Sequence, residues 1–153
     1  MTITRFLPAA PIACLMTAAL MIAQPAAADE AQKLITILTA PEPQAQLMAM
    51  VLTMNAVAAG AEARILLCGP AADIALKAAP ETATAGQPPK GASPQGLMKM
   101  LMEKNAVKVE VCAIYLPGMG GADASVLMDG VTAAAPDAMG AAIVAEDTQV
   151  MSF

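Results

Sequence analysis

Short apolar runs rich in β-branched residues alternate with helical stretches from Lys33 to the C-terminus, and this alternation limits the fold of the 153-residue chain more than any other feature. The run Lys33-Leu-Ile-Thr-Ile-Leu-Thr39 comes first. It is apolar on both faces, which predicts a central strand, and Pro41 and Pro43 end it. From Gln44 to Ala59, Leu47, Met50, Val51, Met54 and Val57 recur at three- and four-residue spacings, the pattern of an amphipathic helix, stopped by Gly60. Ala63-Arg-Ile-Leu-Leu-Cys68 is a second strand, closed by Gly69-Pro70 and followed by a short helix from Ala71 to Lys77. The stretch from Pro80 to Pro94 is rich in Pro, Gly, Thr and Ala and reads as a mobile surface loop. Ser93 suits a helix N-cap, with Pro94 at the first helical position. That helix runs to Asn105, a residue type suited to a left-handed C-terminal position. Val107-Lys-Val-Glu-Val-Cys112 is the third strand. A short helix from Ala122 to Met128, a short strand from Asp129 to Ala133, a helix from Pro136 to Glu146 and a last strand from Thr148 to Phe153 complete the order. Strands alternating with helices imply parallel pairing through right-handed crossovers, with helices on both faces of one sheet.

The first 28 residues have the form of a secretory leader. Arg5 is the only charge before Asp29, Phe6 to Ala23 is apolar, and Ala26-Ala-Ala28 offers a small-residue cleavage site. A membrane span is the competing reading. Pro8 and Pro11 interrupt the apolar run and the small-residue end fits cleavage, so the expectation is a periplasmic protein with a leader over 1–28 and one domain over 29–153. No stable membrane anchor would then remain after cleavage. Cys14 leaves with the leader, so Cys68 and Cys112 are the cysteines of the mature chain. An even count in an exported protein invites a disulfide, although a domain of this size does not need one.

The composition closes off several chemistries. The chain has no histidine, which removes Ser-His-Asp triads, Cys-His pairs and imidazole metal sites. Eight basic residues stand against thirteen acidic ones, a poor balance for nucleic acid. Three aromatic residues in all leave few platforms for stacking bases. Of the common nucleophiles, cysteine alone reacts well without a neighbouring base, being partly thiolate near neutral pH.

Cys112 closes the third strand, and the glycine loop Pro117-Gly-Met-Gly-Gly121 follows it. Ligands of open α/β sheets bind beyond the carboxyl ends of the strands, so a thiol there is reachable yet held on rigid backbone. Gly118, Gly120 and Gly121, with Tyr115, form the loop around the thiol, and their peptide N–H groups are expected to stabilise a thiolate. The bland alternative is a buried core cysteine. Cys68 ends the second strand in the equivalent way and reads either as a second, resolving thiol or as core. Met48, Met50, Met98, Met100 and Met102 form Met-x-Met patterns, but residues two apart on a helix do not share a face. Met50 with Met54 and Met98 with Met102 do, at core spacing. Packing explains them without copper, and no metal or cofactor is expected. Asp73, Asp123 and Asp129 read as caps or solvated turns.

The strand Lys33–Thr39, the helix ending at Gly60, Ala63–Gly69, Val107–Cys112, Met128-Asp-Gly-Val131 and the terminal Val150-Met-Ser-Phe153 fall in an order that resembles the DsrE/DsrF-like sulfur-relay family. The resemblance spans essentially the whole mature chain, and Cys112 and the Ser-Phe end are its most specific points. It implies a three-layer α/β/α sandwich, Rossmann-like, with a five-stranded parallel sheet in the order 4-3-2-1-5. It also implies association into homo- or hetero-oligomers. The cysteine matching Cys112 would carry a persulfide between sulfur donors and acceptors, whether proteins or small sulfur species, and the strand order would bring Cys68 toward it. Many members have a second cysteine three residues on, where this chain has Tyr115. The best-known members work in the cytoplasm, whereas this chain carries a leader. Two other readings stand beside the carrier: a thiol-disulfide or peroxide-responsive protein using Cys112 and Cys68, and a noncatalytic binding module.

Overall fold

In the computed structural model, which describes residues 31–153, the side chains of each strand alternate between two unlike layers. The strands are β1 (Lys33–Leu38), β2 (Glu62–Leu67), β3 (Lys108–Val111), β4 (Thr132–Ala133) and β5 (Thr148–Ser152). They form one sheet, all parallel, in the order β4-β3-β2-β1-β5. β1 is an interior strand, between β2 and the edge strand β5, as its two apolar faces predict, while β2 holds the middle of the sheet. The expected leader over 1–28 lies outside the described residues.

Thr36, Leu38, Ile65, Leu67, Val109 and Val111 point to one face. All six are fully buried beneath helices α1 (Pro43–Ala58) and α3 (Pro94–Asn105), which bring Ala49, Met50, Leu97, Met98 and Leu101. Burying one such aliphatic side chain stabilises by about 1.5–3 kcal/mol, so this layer dominates the fold. The methionines follow the core spacing: Met50 and Met98 are buried, Met54 and Met102 pack against them, and Met48 and Met100 face outward. Thr36 and Thr53 place two hydroxyls in this layer, 2.7 Å apart, and Thr53 donates to the Ala49 carbonyl at 2.8 Å. Thr36 must then donate to Thr53, so neither buried hydroxyl is left unpaired.

The other face carries Ile35, Ile37, Leu66, Cys68, Cys112 and Val150. It is covered by α5 (Pro136–Ile143) through Met139, Ala142 and Ile143. This cover is thin, and Val150 stays exposed. Toward the amino ends of the strands the same face turns polar. Glu110, almost wholly buried, accepts from Arg64 on β2 and from Lys108 two residues back on β3.

Several local expectations are corrected. The segment after β2 is a 3-10 turn, Gly69–Ala75, where a helix over Ala71–Lys77 was expected. The expected helix over Ala122–Met128 is a 3-10 turn of Ala124–Val126. The Pro80–Pro94 stretch is folded. It contains the short helix α2 (Glu81–Thr84), a bridge between Gln87 and Ala92, and Ala83 in the core. Gly86 packs so closely on Gly91 that a Cβ there would lie 2.5 Å from the Gly91 oxygen, which explains a glycine in so polar a segment. The left-handed residue after α3 is Ala106, with φ 53°, and Asn105 remains helical. Ser93 caps α3 as expected, accepting from the Gly96 N–H at 3.1 Å. Phe153 extends the sheet beside β1: its N–H donates to the Ile37 carbonyl and its own carbonyl accepts from Thr39.

Candidate functional site

Leu67 and Val111 are register partners on β2 and β3, and the next residue on each strand is a cysteine. Ladder bonds continue through both. The Cys68 N–H donates to the Leu38 carbonyl at 2.9 Å and the Cys112 N–H to the Leu67 carbonyl at 2.8 Å. The thiols are therefore carried on sheet backbone and not on a loose loop. Their Cα atoms are 5.1 Å apart, and the sulfurs are joined as a disulfide. That separation lies within the range disulfides require. Both residues are half-buried, neither sealed in the core nor on a free surface.

Gly69 turns the chain immediately after Cys68 at φ +54°, a conformation glycine adopts without a Cβ clash. The 3-10 turn that follows is anchored by Ala71, Ala72, Ile74 and Ala75, all buried. Gln95 of α3 donates to the carbonyls of Ile74 and Leu76, both at 2.9 Å. On the other side, the helical turn α4 (Tyr115–Gly118) follows Cys112, with the Tyr115 N–H on the Cys112 carbonyl at 2.9 Å. The two segments meet where the Tyr115 hydroxyl donates to Asp73 Oδ1 at 2.7 Å. Burial, then this hydrogen bond and the charge of Asp73, push the tyrosine far above its ordinary pKa, so it stays a neutral donor.

A cleft of about 420 Å³ lies between the segments, lined by Cys68, Gly69, Pro70, Asp73, Cys112, Ile114, Tyr115, Gly118 and Met119. A smaller hollow of about 310 Å³ runs from Cys112 and Ile114 to Pro136, Met139 and Ile143 of the thin layer. Cys112 lines both, Cys68 only the first. Ile114, 79% exposed, stands between them.

The structure brings Cys112, Cys68, Tyr115 and Gly118 together in the cleft. Gly120 and Gly121 lie on the exposed turn beyond it. The expected thiolate cradle is not formed by that turn. The N–H groups of Gly118, Gly120 and Gly121 bond to the carbonyls of Ile114, Pro117 and Leu116 within the loop, so the glycines serve the turn, and Gly120 and Gly121 both take φ +77°. Asp73 is neither a cap nor a solvated turn residue, unlike Asp123, which caps through Ser125. Asp73 is the one charged side chain lining the cleft, and the ion pairs among the described residues do not include it. Its place in the turn leaving β2, just past a strand-end cysteine, was the available signal. The Tyr115 contact was not readable from spacing.

The cleft offers two sulfurs, a carboxylate and a phenol. Among the described residues no three His, Cys, Asp or Glu side chains converge as metal ligands. Two cysteines at this spacing can open and close a disulfide by exchange with an outside thiol.

No family model matches the chain, and no curated protein does. Among solved structures, the chain is similar to the crystal structure of the YchN protein of E. coli, with a TM-score of 0.57 and 20% identity over 80% of this chain and 99% of that one. The likeness is one of fold: a DsrE-like α/β architecture with a five-stranded parallel sheet between helices.

Proposed function

We propose that this chain is a periplasmic sulfur carrier in which Cys112 holds sulfane sulfur as a persulfide and Cys68 is the resolving thiol. The observation that carries the reading is the pairing of two half-exposed cysteines at adjacent strand ends, on ladder-bonded backbone, above a cleft. In the reduced protein the Cys112 thiolate attacks the outer sulfur of a donor persulfide, forming Cys112–S–SH and releasing the donor as a thiolate. An acceptor thiolate can then take the outer sulfur and return Cys112. Alternatively, the Cys68 thiolate attacks the inner sulfur, closes the disulfide and expels hydrosulfide. In that step the sulfane sulfur gains the two electrons that the cysteines lose. The leader over 1–28 supports export. Self-association belongs to the proposal as well, supported by the thin cover of the second face, where Val144 and Val150 are exposed.

The disulfide favours a second reading, a thiol-disulfide redox protein without a sulfur cargo. Intact mass of the reduced protein after polysulfide treatment separates the two. The carrier predicts that Cys68→Ser accumulates one added sulfur on Cys112, while the wild type passes to the disulfide and releases sulfide. Oxidation without any sulfur gain in Cys68→Ser selects the redox reading. A disulfide that remains closed in folded protein under excess thiol leaves only a structural cross-link.

A further inference from the structure

We infer that the thiol reacting at this cleft is a low-molecular-weight aminothiol, held by its ammonium group at Asp73. The inference rests on the thiol chemistry proposed above and names its small partner. A second hollow of about 300 Å³, lined by Pro41, Gln46, Pro70, Asp73, Pro80 and Thr82 among others, shares Pro70 and Asp73 with the disulfide cleft. Among the described residues no Lys or Arg lines either one, and Asp73 is the charged side chain in both linings. Asp73 accepts the Tyr115 hydroxyl on one oxygen and is in no ion pair among the described residues. Gln46 donates its amide nitrogen to the Ala40 carbonyl at 2.9 Å, which fixes the amide's orientation, and its Oε1 is buried without a partner. A lone carboxylate and an orphaned acceptor call for a donor, and an ammonium forms charge-assisted bonds with such groups. A thiol bearing its own carboxylate meets repulsion from Asp73 instead. Both hollows are of the size that takes small molecules.

In the exchange, the aminothiolate attacks the Cys112 sulfur, forms a mixed disulfide and expels the Cys68 thiolate, which takes a proton from solvent. A second aminothiol then displaces Cys112 as a thiolate and leaves as the aminothiol disulfide. Two electrons pass from the two aminothiols to the protein. The same ammonium contact would hold an aminothiol persulfide as sulfur donor to reduced Cys112.

The test compares cysteamine, 2-mercaptoethanol and 3-mercaptopropionate in opening the disulfide of the folded mature protein. Each rate is divided by the same thiol's rate with a neutral small-molecule disulfide, which cancels intrinsic nucleophilicity. The expected order is cysteamine, then mercaptoethanol, then mercaptopropionate, with roughly two- to fivefold between neighbours for one charge contact in a half-exposed site. The order should compress with added salt. It should vanish in Asp73→Asn, which keeps an acceptor for Tyr115, and weaken in Gln46→Leu. Equal normalised rates in the wild type overturn the inference and leave the thiol reading standing. A disulfide that no thiol opens overturns both.

Discussion

Cys68 and Cys112 each sit one residue past a register pair, Leu67 and Val111, and the strands that carry them are buried to their last residue. The disulfide thus cross-links two positions that the sheet already holds together. A loop with a sequence separation of 44 residues closed by a disulfide is stabilised by about 2–4 kcal/mol through the unfolded state. Reduction, or the double substitution Cys68→Ser with Cys112→Ser, should lower the unfolding free energy by that amount, read from denaturant titrations, while leaving the circular dichroism unchanged. Loss of the fold on reduction would mean that the cross-link is structural and that a dithiol form has no working state.

The Tyr115 hydroxyl on Asp73 ties together the segments that the disulfide also ties. Tyr115→Phe removes a hydrogen bond to a carboxylate, worth about 1–2 kcal/mol at a half-exposed site. Once the cysteines are reduced, this contact remains as a side-chain tie between the two loops beyond the sheet and favours reclosure of the disulfide. Tyr115→Phe should therefore raise the dithiol's share in a glutathione redox titration more than it shifts thermal stability of the oxidised protein. An unchanged titration would reduce the contact to ordinary packing.

Glu110 gives the stability a pH dependence. Burial pushes its carboxyl up, but hydrogen bonds from Arg64 and Lys108 and their charges outweigh that, so its pKa lies below the ordinary carboxylate value. The group is charged in both states at neutral pH and protonates first in the unfolded chain as pH falls. Its contribution is therefore complete above the ordinary glutamate pKa of about 4.3 and disappears as pH drops through the lower folded value. Glu110→Gln loses the charge-assisted part of bonds to two partly exposed cations and should cost ~1.5–3 kcal/mol at pH 7, and the gap to the wild type should narrow in urea titrations below about pH 4. A gap constant with pH would assign the cost to packing alone.

Where one physical signal decided the outcome, the sequence could be read directly. β1, β2, β3 and both long helices stand within one or two residues of their apolar patterns, and Ser93 and Pro94 open α3 as their chemistry requires. The strand order and the approach of Cys68 to Cys112 came from the resemblance, because periodicity cannot tell which strands are neighbours. Where signals competed, reading failed. The Pro- and Gly-rich stretch after Pro80 looked unstructured, yet Ala83 gives it a core contact and Gly86 a backbone one. The role of Asp73 depends on a tyrosine 42 residues away. The glycines after Cys112 promised free N–H groups, but a tight turn spends those donors on its own carbonyls.

The end of α3 supplies the last prediction. Asn105 has the side chain suited to a left-handed residue, but Ala106 adopts that conformation, with φ 53° and ψ 27°, and its N–H donates to the Leu101 carbonyl. The reason lies downstream: Val107 must turn inward, and it is 4% exposed in the core that α3 and β3 share. Ending the helix one residue earlier would move Val107 off that layer. A left-handed alanine costs about 1–2 kcal/mol, and glycine removes that cost while adding roughly 0.5–1 kcal/mol of unfolded-state entropy. Ala106→Gly should therefore stabilise the protein by about 0.5–1 kcal/mol. Equilibrium unfolding with an unchanged m-value reads the gain directly. A loss of stability would mean that Ala106 does not hold the left-handed conformation in solution.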